Sequence, residues 1–205
     1  IKEYTNNQYW PVWHKDMHSD GGFDRKMYLN TSDAVTGTDQ RRVTSVSATT
    51  FGLPEGASSG GYSESNKIGN KHIAYCFHSV ANYSKIANYS GSGSSGKTVT
   101  TGFRPAFLMI KRTDGVQDWM MFDNARNPLG SATFKINANS NGGNGNAFDH
   151  LNFTNTGFTL LSGNDNVNAS GENYIYMAFA GGSDSVSNYN TTGSIDSRVK
   201  ANPTY

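Results

Sequence analysis

Wherever apolar residues cluster in this chain, they recur at every second position rather than at the spacing of a helix face. Phe107-Leu108-Met109-Ile110 is a continuous apolar run bounded by Pro105 and by Asp114-Gly115, which predicts a fully buried strand. Trp119-Met120-Met121-Phe122 follows that turn and predicts its hairpin partner. Further strands are predicted over Phe134-Lys135-Ile136 (Lys135 facing out), at Leu151 and Phe153, and over Phe158-Thr159-Leu160 after the Asn155-Thr156-Gly157 turn. The strongest is Tyr174-Ile175-Tyr176-Met177-Ala178-Phe179, with Tyr174 and Tyr176 on one face. Val80, Tyr83 and Ile86 recur every three residues, but the Ser and Asn around them predict a strand with turns instead of a helix. The stretch from Gly91 to Gly96 fits either a flexible linker or a hairpin loop joining 86–89 to 99–103. The β-type residues on both flanks favour the hairpin.

The same strand patterns recur in order. His72-Ile73-Ala74-Tyr75-Cys76-Phe77 parallels Tyr174 to Phe179, with a Gly/Asn turn before each. Upstream, Thr50-Phe51-Gly52-Leu53 parallels Gly157 to Leu160, and Lys26-Met27-Tyr28-Leu29-Asn30 parallels Thr133 to Asn137. Earlier still, Trp10-Pro11-Val12-Trp13-His14-Lys15 parallels Ala106 to Lys111. Ordered matches of this kind predict two related units of about 100 residues in tandem. The expected boundaries are 1–82 for a first, front-truncated unit, 83–182 for a second, and 183–205 for an extended tail.

Composition narrows the class. The 205 residues include 11 Tyr, 11 Phe and 3 Trp, enough to close a core, and the net charge is +1, so the chain is not disordered. That charge leaves no electrostatic footprint for nucleic acid. No apolar run approaches the ~18 residues of a membrane span. Cys76 is the single cysteine, which excludes an internal disulfide and a multi-cysteine zinc site. The opening Ile1-Lys2-Glu3-Tyr4 carries two charges and no apolar stretch, so it is not a signal peptide; a fragment or processed product is expected. Alternating strands with frequent Gly and Asn turns predict an all-β fold of antiparallel β-sandwiches, jelly-roll or lectin-like. Sheet edges in such units are usually covered by a partner, which predicts a homo-oligomer or a particle lattice.

The run Ile73 to Val80, then Tyr83-Ser84-Lys85-Ile86, Tyr89 to Gly93, Thr101 to Phe107 and Ile110 to Thr113 resembles a repeat domain of tailed-phage virion proteins, frequent in phages of marine bacteria. Trp119, Asp123-Asn124-Ala125-Arg126, Asp165 to Gly171 and Tyr174 to Ala180 continue the resemblance. It is close over 73–180 and looser over 9–72, where Trp10-Pro11-Val12-Trp13 and Gly22-Phe23-Asp24-Arg25 depart from the pattern. The resemblance implies a virion structural protein without catalysis: a tail fibre, spike or capsid appendage. Its implied partners are other virion proteins, copies of itself and host surface glycan. A free carbohydrate-binding module and a tailspike-type glycan hydrolase are the alternatives.

Few constellations carry chemistry. Trp119, Asp123 and Arg126 could form a glycan subsite, with the indole stacking on a sugar ring, or a turn clasp beside a core tryptophan. The amide-rich stretch from Asn137 to Asn146 could present Asn139, Asn141, Asn144 and Asn146 to a polysaccharide at a loop tip, or simply connect strands. Asp165, Asn166, Asn168 and Glu172 offer oxygens to Ca²⁺, but Asx-turns account for the same residues. His14 and His18 are four apart in a strand-and-loop region, where that spacing does not share a face, so no metal is expected. Cys76 is expected to be a small core residue on a buried strand, matched by Ala178 in the second unit. No cofactor motif survives: Gly91-x-Gly93-x-x-Gly96 opens no helix in an all-β context.

Overall fold

Strand length follows the availability of partners. The described strands, in chain order, begin with β1 (Lys2–Glu3), β2 (Pro11–Val12), β3 (Arg25–Tyr28), β4 (Thr36–Gly37), β5 (Ser45–Val46), β6 (Phe51–Gly52) and β7 (His72–Ile73). They continue with β8 (Ser84–Ser90), β9 (Thr98–Thr100), β10 (Pro105–Arg112), β11 (Met120–Asp123), β12 (Ser131–Ala132), β13 (Ile136–Asn137), β14 (Leu151–Thr154), β15 (Gly157–Leu160) and β16 (Asn173–Ala180). A 3-10 turn at Lys15–Met17 and one helical turn, α1 (Ser63–Asn66), are the only described helical segments. The computed structural model describes residues 1–6, 8–17, 23, 25–37, 43–56, 63–126, 131–132, 134–142 and 150–181. The tail expected at 183–205 lies outside them.

Two larger sheets form between residues 84 and 180. One is five-stranded, ordered β13-β11-β10-β16-β8; the other is four-stranded, ordered β12-β14-β15-β9. Every pairing in them is antiparallel. The predicted hairpin of 107–110 with 119–122 is present as β10 and β11, with Ile110 opposite Met120. β16 lies between β10 and β8 and is paired along nearly its whole length. The hairpin expected between 86–89 and 99–103 does not form. β8 pairs with β16 in the five-stranded sheet, and β9 pairs with β15 in the other. The Gly91–Gly96 stretch instead crosses between sheets, because its backbone packs directly onto 168–170. Gly91 N–H donates to the Glu172 carbonyl (2.8 Å) and Gly93 N–H to the Asn168 carbonyl (2.9 Å).

Alternation decides which side chains face which layer. Leu108, Ile110, Met120, Phe122, Tyr89, Tyr174, Tyr176 and Ala178 from the five-stranded sheet join Val99, Leu151, Phe153, Phe158 and Leu160 from the four-stranded sheet in one hydrophobic cluster. Tyr89 stacks on Tyr174 with ring centroids 5.1 Å apart and donates its hydroxyl to the Val167 carbonyl at 2.7 Å. Burial of these aromatics is the largest favourable term on hand, since each removes ~150–250 Å² from water.

The opposite face of the five-stranded sheet is covered by the start of the chain. Met17 and Met27 are buried with Trp119 and Ile175, and Val12, Trp13, Leu29, Val35 and Met109 pack around them. The Trp119 indole N–H donates to the Tyr28 carbonyl (2.9 Å), and Val35 N–H donates to the Thr113 carbonyl (2.7 Å). Strands in this N-terminal region are two to four residues long: β2-β3-β4 form a three-stranded sheet, while β1-β7 and β5-β6 are two-stranded. One of the sequence matches falls on unlike places. Tyr174 to Phe179 is a central strand, whereas of His72 to Phe77 only His72–Ile73 is a strand, paired with β1.

Candidate interaction surface

The residues predicted from sequence to touch a glycan are engaged in holding the fold. Trp119 is buried on the N-terminal side of the five-stranded sheet. Asp123 ends β11 four positions later, about 13 Å along an extended strand, so the structure does not bring the two together. Asp123 and Arg126 form the turn clasp. Asp123 Oδ1 accepts from the Arg126 backbone N–H (2.8 Å), and Oδ2 accepts from its Nε (2.6 Å). Partial burial raises the Asp123 carboxyl, but the Arg126 side chain and backbone N–H outweigh it, so it lies below the usual carboxylate range.

Asn139 is likewise occupied. Its Nδ2 donates to Asp118 Oδ1 (2.7 Å), and its Oδ1 accepts from Trp119 N–H (2.8 Å). Asn137 Nδ2 donates to the other Asp118 oxygen at 2.7 Å. Three side chains thus tie the loop to the start of β11. Asn141 is exposed, while Asn144 and Asn146 lie outside the described residues.

Of the residues weighed for Ca²⁺, Asn168 and Glu172 are committed to the fold, and Asp165 is exposed. Asn166 N–H donates to Asn164 Oδ1 (3.0 Å), the Asx-turn geometry. Asn168 is fully buried: its Nδ2 donates to the Ser94 and Ser162 carbonyls (2.8 and 2.7 Å), and its Oδ1 accepts from Ser92 N–H (2.8 Å). Glu172 pairs with Arg112 at 2.8 Å. Among the described residues no group of three or more His, Cys, Asp or Glu could hold a metal ion, and no helix is long and apolar enough to cross a membrane.

His14 and Lys111 are buried titratable groups that form no site. His14 Nδ1 accepts from Asp16 N–H (3.1 Å), and burial pulls its pKa down to about 4. Lys111 is fully enclosed, its Nζ donating to the Arg112 carbonyl (2.6 Å) and to the Gly115 carbonyl (3.3 Å). Burial pulls it down to about 8, against the opposing pull of Asp33 and Asp118.

Sequence reasoning missed the most conspicuous surface feature. Cys76, expected in a buried strand, is exposed. It lies within Ala74–Ser79, a segment that forms no strand and is exposed throughout, because no described strand pairs with it beyond Ile73. Ile73, Tyr75, Phe77, Val80 and Tyr83, in and beside it, stand out to solvent, with Tyr75 60%, Phe77 54% and Tyr83 58% accessible. The strip is nonetheless held. The Phe77 and Tyr83 rings sit edge-on to Phe179 at 5.8 and 6.1 Å, and Phe107 lies 6.3 Å from Phe179 on the far side. Ser79 Oγ accepts from Ile86 N–H (3.0 Å), and Ser84 Oγ donates to the His78 carbonyl (2.8 Å). The one available signal was the absence of a long partner strand near 72–79 in the chain. An ordered aromatic strip on the surface can bind another surface.

The chain belongs to a family described as Domain of unknown function (DUF7483), whose model matches residues 1–183. The match takes in the N-terminal layer and both larger sheets together. No curated protein and no solved structure matches the chain.

Proposed function

We propose that the chain is a non-enzymatic structural component of a phage-type virion, a tail fibre, spike or capsid appendage, that works through protein–protein contacts and meets host surface glycan at the particle surface. The observation that carries this reading is the exposed aromatic strip at 73–83, fixed on Phe179 beside the edge strand β8. Large ordered apolar area on a surface costs solubility unless a partner covers it. The resemblance of 73–180 to tailed-phage repeat domains supplies the kind of particle.

In this reading the two larger sheets are the faces of an antiparallel β-sandwich, an arrangement supported by their shared hydrophobic cluster. The division into units at 82 and 83 rests on the ordered sequence matches. It makes a separable expectation: a fragment of residues 83–182 unfolds cooperatively alone, because the shared cluster runs only from Tyr89 to Ala178.

Immunogold labelling tests the assignment. An antibody against the chain is expected to mark one substructure of intact particles, and its absence from purified particles overturns the virion reading. Incubation with host polysaccharide is expected to leave its length unchanged; shortening overturns the non-enzymatic reading.

A further inference from the structure

We infer that the strip from Ile73 to Tyr83 is the contact face for a second copy of this chain. The inference rests on the reading of the chain as an assembly component and names its nearest partner.

Area favours a protein partner. Tyr75, Phe77 and Tyr83 are each more than half accessible, which at ~200 Å² per ring leaves about 350 Å² of aromatic surface in water. Ile73 and Val80, 42% and 40% accessible, widen it. One partner in a standard interface gives up about 800 Å², so the rings alone supply nearly half of that share.

Charge favours a copy of the same chain. A two-fold contact sets a patch against itself, and any charge near the axis meets its equal. From His72 to Lys85 the chain has no Asp, Glu, Lys or Arg in between. The strip's own side chains therefore bring no like-charge penalty to such a contact, and the charges beside it, on Lys2 and Glu3, flank its Ile73 end.

Two other occupants fit less well. An extended peptide adding to the sheet needs open backbone groups on β8. Those of Ile86 are already taken by Ser79 Oγ, and Val80 exchanges backbone bonds with Ser84. A sugar needs polar grips beside the aromatic faces. Ser79 is spent on Ile86 and His78 Nδ1 faces the Ser79 carbonyl at 3.1 Å, which leaves Asn82 and the Tyr75 and Tyr83 hydroxyls as the grips on offer, without a charged group among them. Phe77 and Tyr83, already held on Phe179, have less side-chain entropy left to lose on packing against another such strip.

The test is the solution mass of the full chain by sedimentation equilibrium. The expected value is twice the 22.2 kDa of one chain. The double variant Tyr75→Ser, Phe77→Ser is expected at the mass of one chain with an unchanged circular dichroism spectrum, since both rings are exposed. Maleimide labelling of Cys76, exposed in the single chain, is expected to slow several-fold as the wild-type protein associates and to stay fast in the variant. A wild-type mass of one chain overturns the inference. So does a variant that keeps the doubled mass, or an assembly of three or more that the variant leaves intact. A monomer whose antibody still labels particles loses only this inference; a dimer absent from particles loses only the virion reading.

Discussion

Tyr174 to Phe179 and His72 to Phe77 share one alternation of apolar residues and meet opposite fates. Tyr174, Tyr176 and Ala178 are buried in the centre of the five-stranded sheet; Ile73, Tyr75 and Phe77 face water. Propensity does not separate them, because both are rich in aromatic and β-branched residues. Neighbours do. β16 has β10 along one side and β8 along the other, and each contributes a register of seven paired positions. His72–Ile73 has β1 for two residues, and then no partner. Alternation marks a segment that can serve as a strand; membership in a sheet is settled by whether long partners reach it.

Matched truncations press hardest on this contrast. Tyr174→Ala removes a fully buried ring, a stack on Tyr89, and a hydroxyl that donates to the Asp165 carbonyl and accepts from Ala169 N–H (both 2.8 Å). The expected loss is ~3–5 kcal/mol, read from urea unfolding. Tyr75→Ala, in solution dilute enough to hold single chains, is expected to change stability by less than about 0.5 kcal/mol. Comparable losses at the two positions would erase the distinction.

Charge inverts the contrast: the buried strand pair encloses a lysine, while the exposed strip between His72 and Lys85 carries no charge. Lys111, opposite Ile175, has a folded pKa of about 8 against an ordinary 10.5. Between those values the unfolded chain binds the proton and the folded chain does not, so stability rises with pH. Burial raises Tyr174 and Tyr176 to about 12. Above pH 10 they keep protons that unfolded tyrosines lose, and stability falls again. Unfolding free energy is therefore expected to climb by on the order of 2–3 kcal/mol from pH 8 to 10 and then decline. Lys111→Met should flatten the climb and spare the decline; an unchanged climb would mean that another group causes it.

The corner that brings β8 beside β16 offers a third comparison. A Cβ on Gly91 would lie 2.0 Å from the Ala169 carbonyl oxygen, whereas Gly69, near the exposed strip, has open space and a φ of +79°. Gly91→Ala must push backbone against backbone, with an expected cost of roughly 1–3 kcal/mol. Gly69→Ala incurs only the left-handed conformation, about 1 kcal/mol. Thermal unfolding of the two variants separates steric from conformational cost, and equal losses would mean the corner yields.

These contrasts show where the sequence is legible. From 105 to 180 the longer strands follow the apolar alternation closely, because β10, β11, β14, β15 and β16 each bury one face against the shared cluster. The Trp119 indole and the Asp123–Arg126 turn were also readable as structural elements. The fate of 72–79 was not, since nothing in its own residues reports that β8 is closed by Ser79. Lys111 reads as polar and is enclosed, because its ammonium finds two carbonyls close by in the same hairpin. The crossing at Gly91–Gly96 was misread because its partners, 168–170, lie far along the chain.

The finest distinction is whether the strip merely lies beside the sheet or completes it. β8 is an edge strand, and an edge offers unpaired N–H and C=O groups. Ser79 Oγ meets both outward groups of Ile86, accepting from its N–H at 3.0 Å and donating to its carbonyl at 3.4 Å. A segment with the pattern of a strand thus closes the edge at Ile86 with a side chain in place of a ladder. Ser79→Ala is expected to cost only about 0.5–1 kcal/mol, because water replaces the hydroxyl at an exposed position. Amide exchange makes the better readout. Ile86 should exchange faster in the variant, while Ala87, paired inward with Tyr176, should keep its protection. If Ile86 is equally protected without the hydroxyl, Ser79 does not close the edge, and the strip's order comes from Phe179 and from the Ser84 bonds to His78 and Val80.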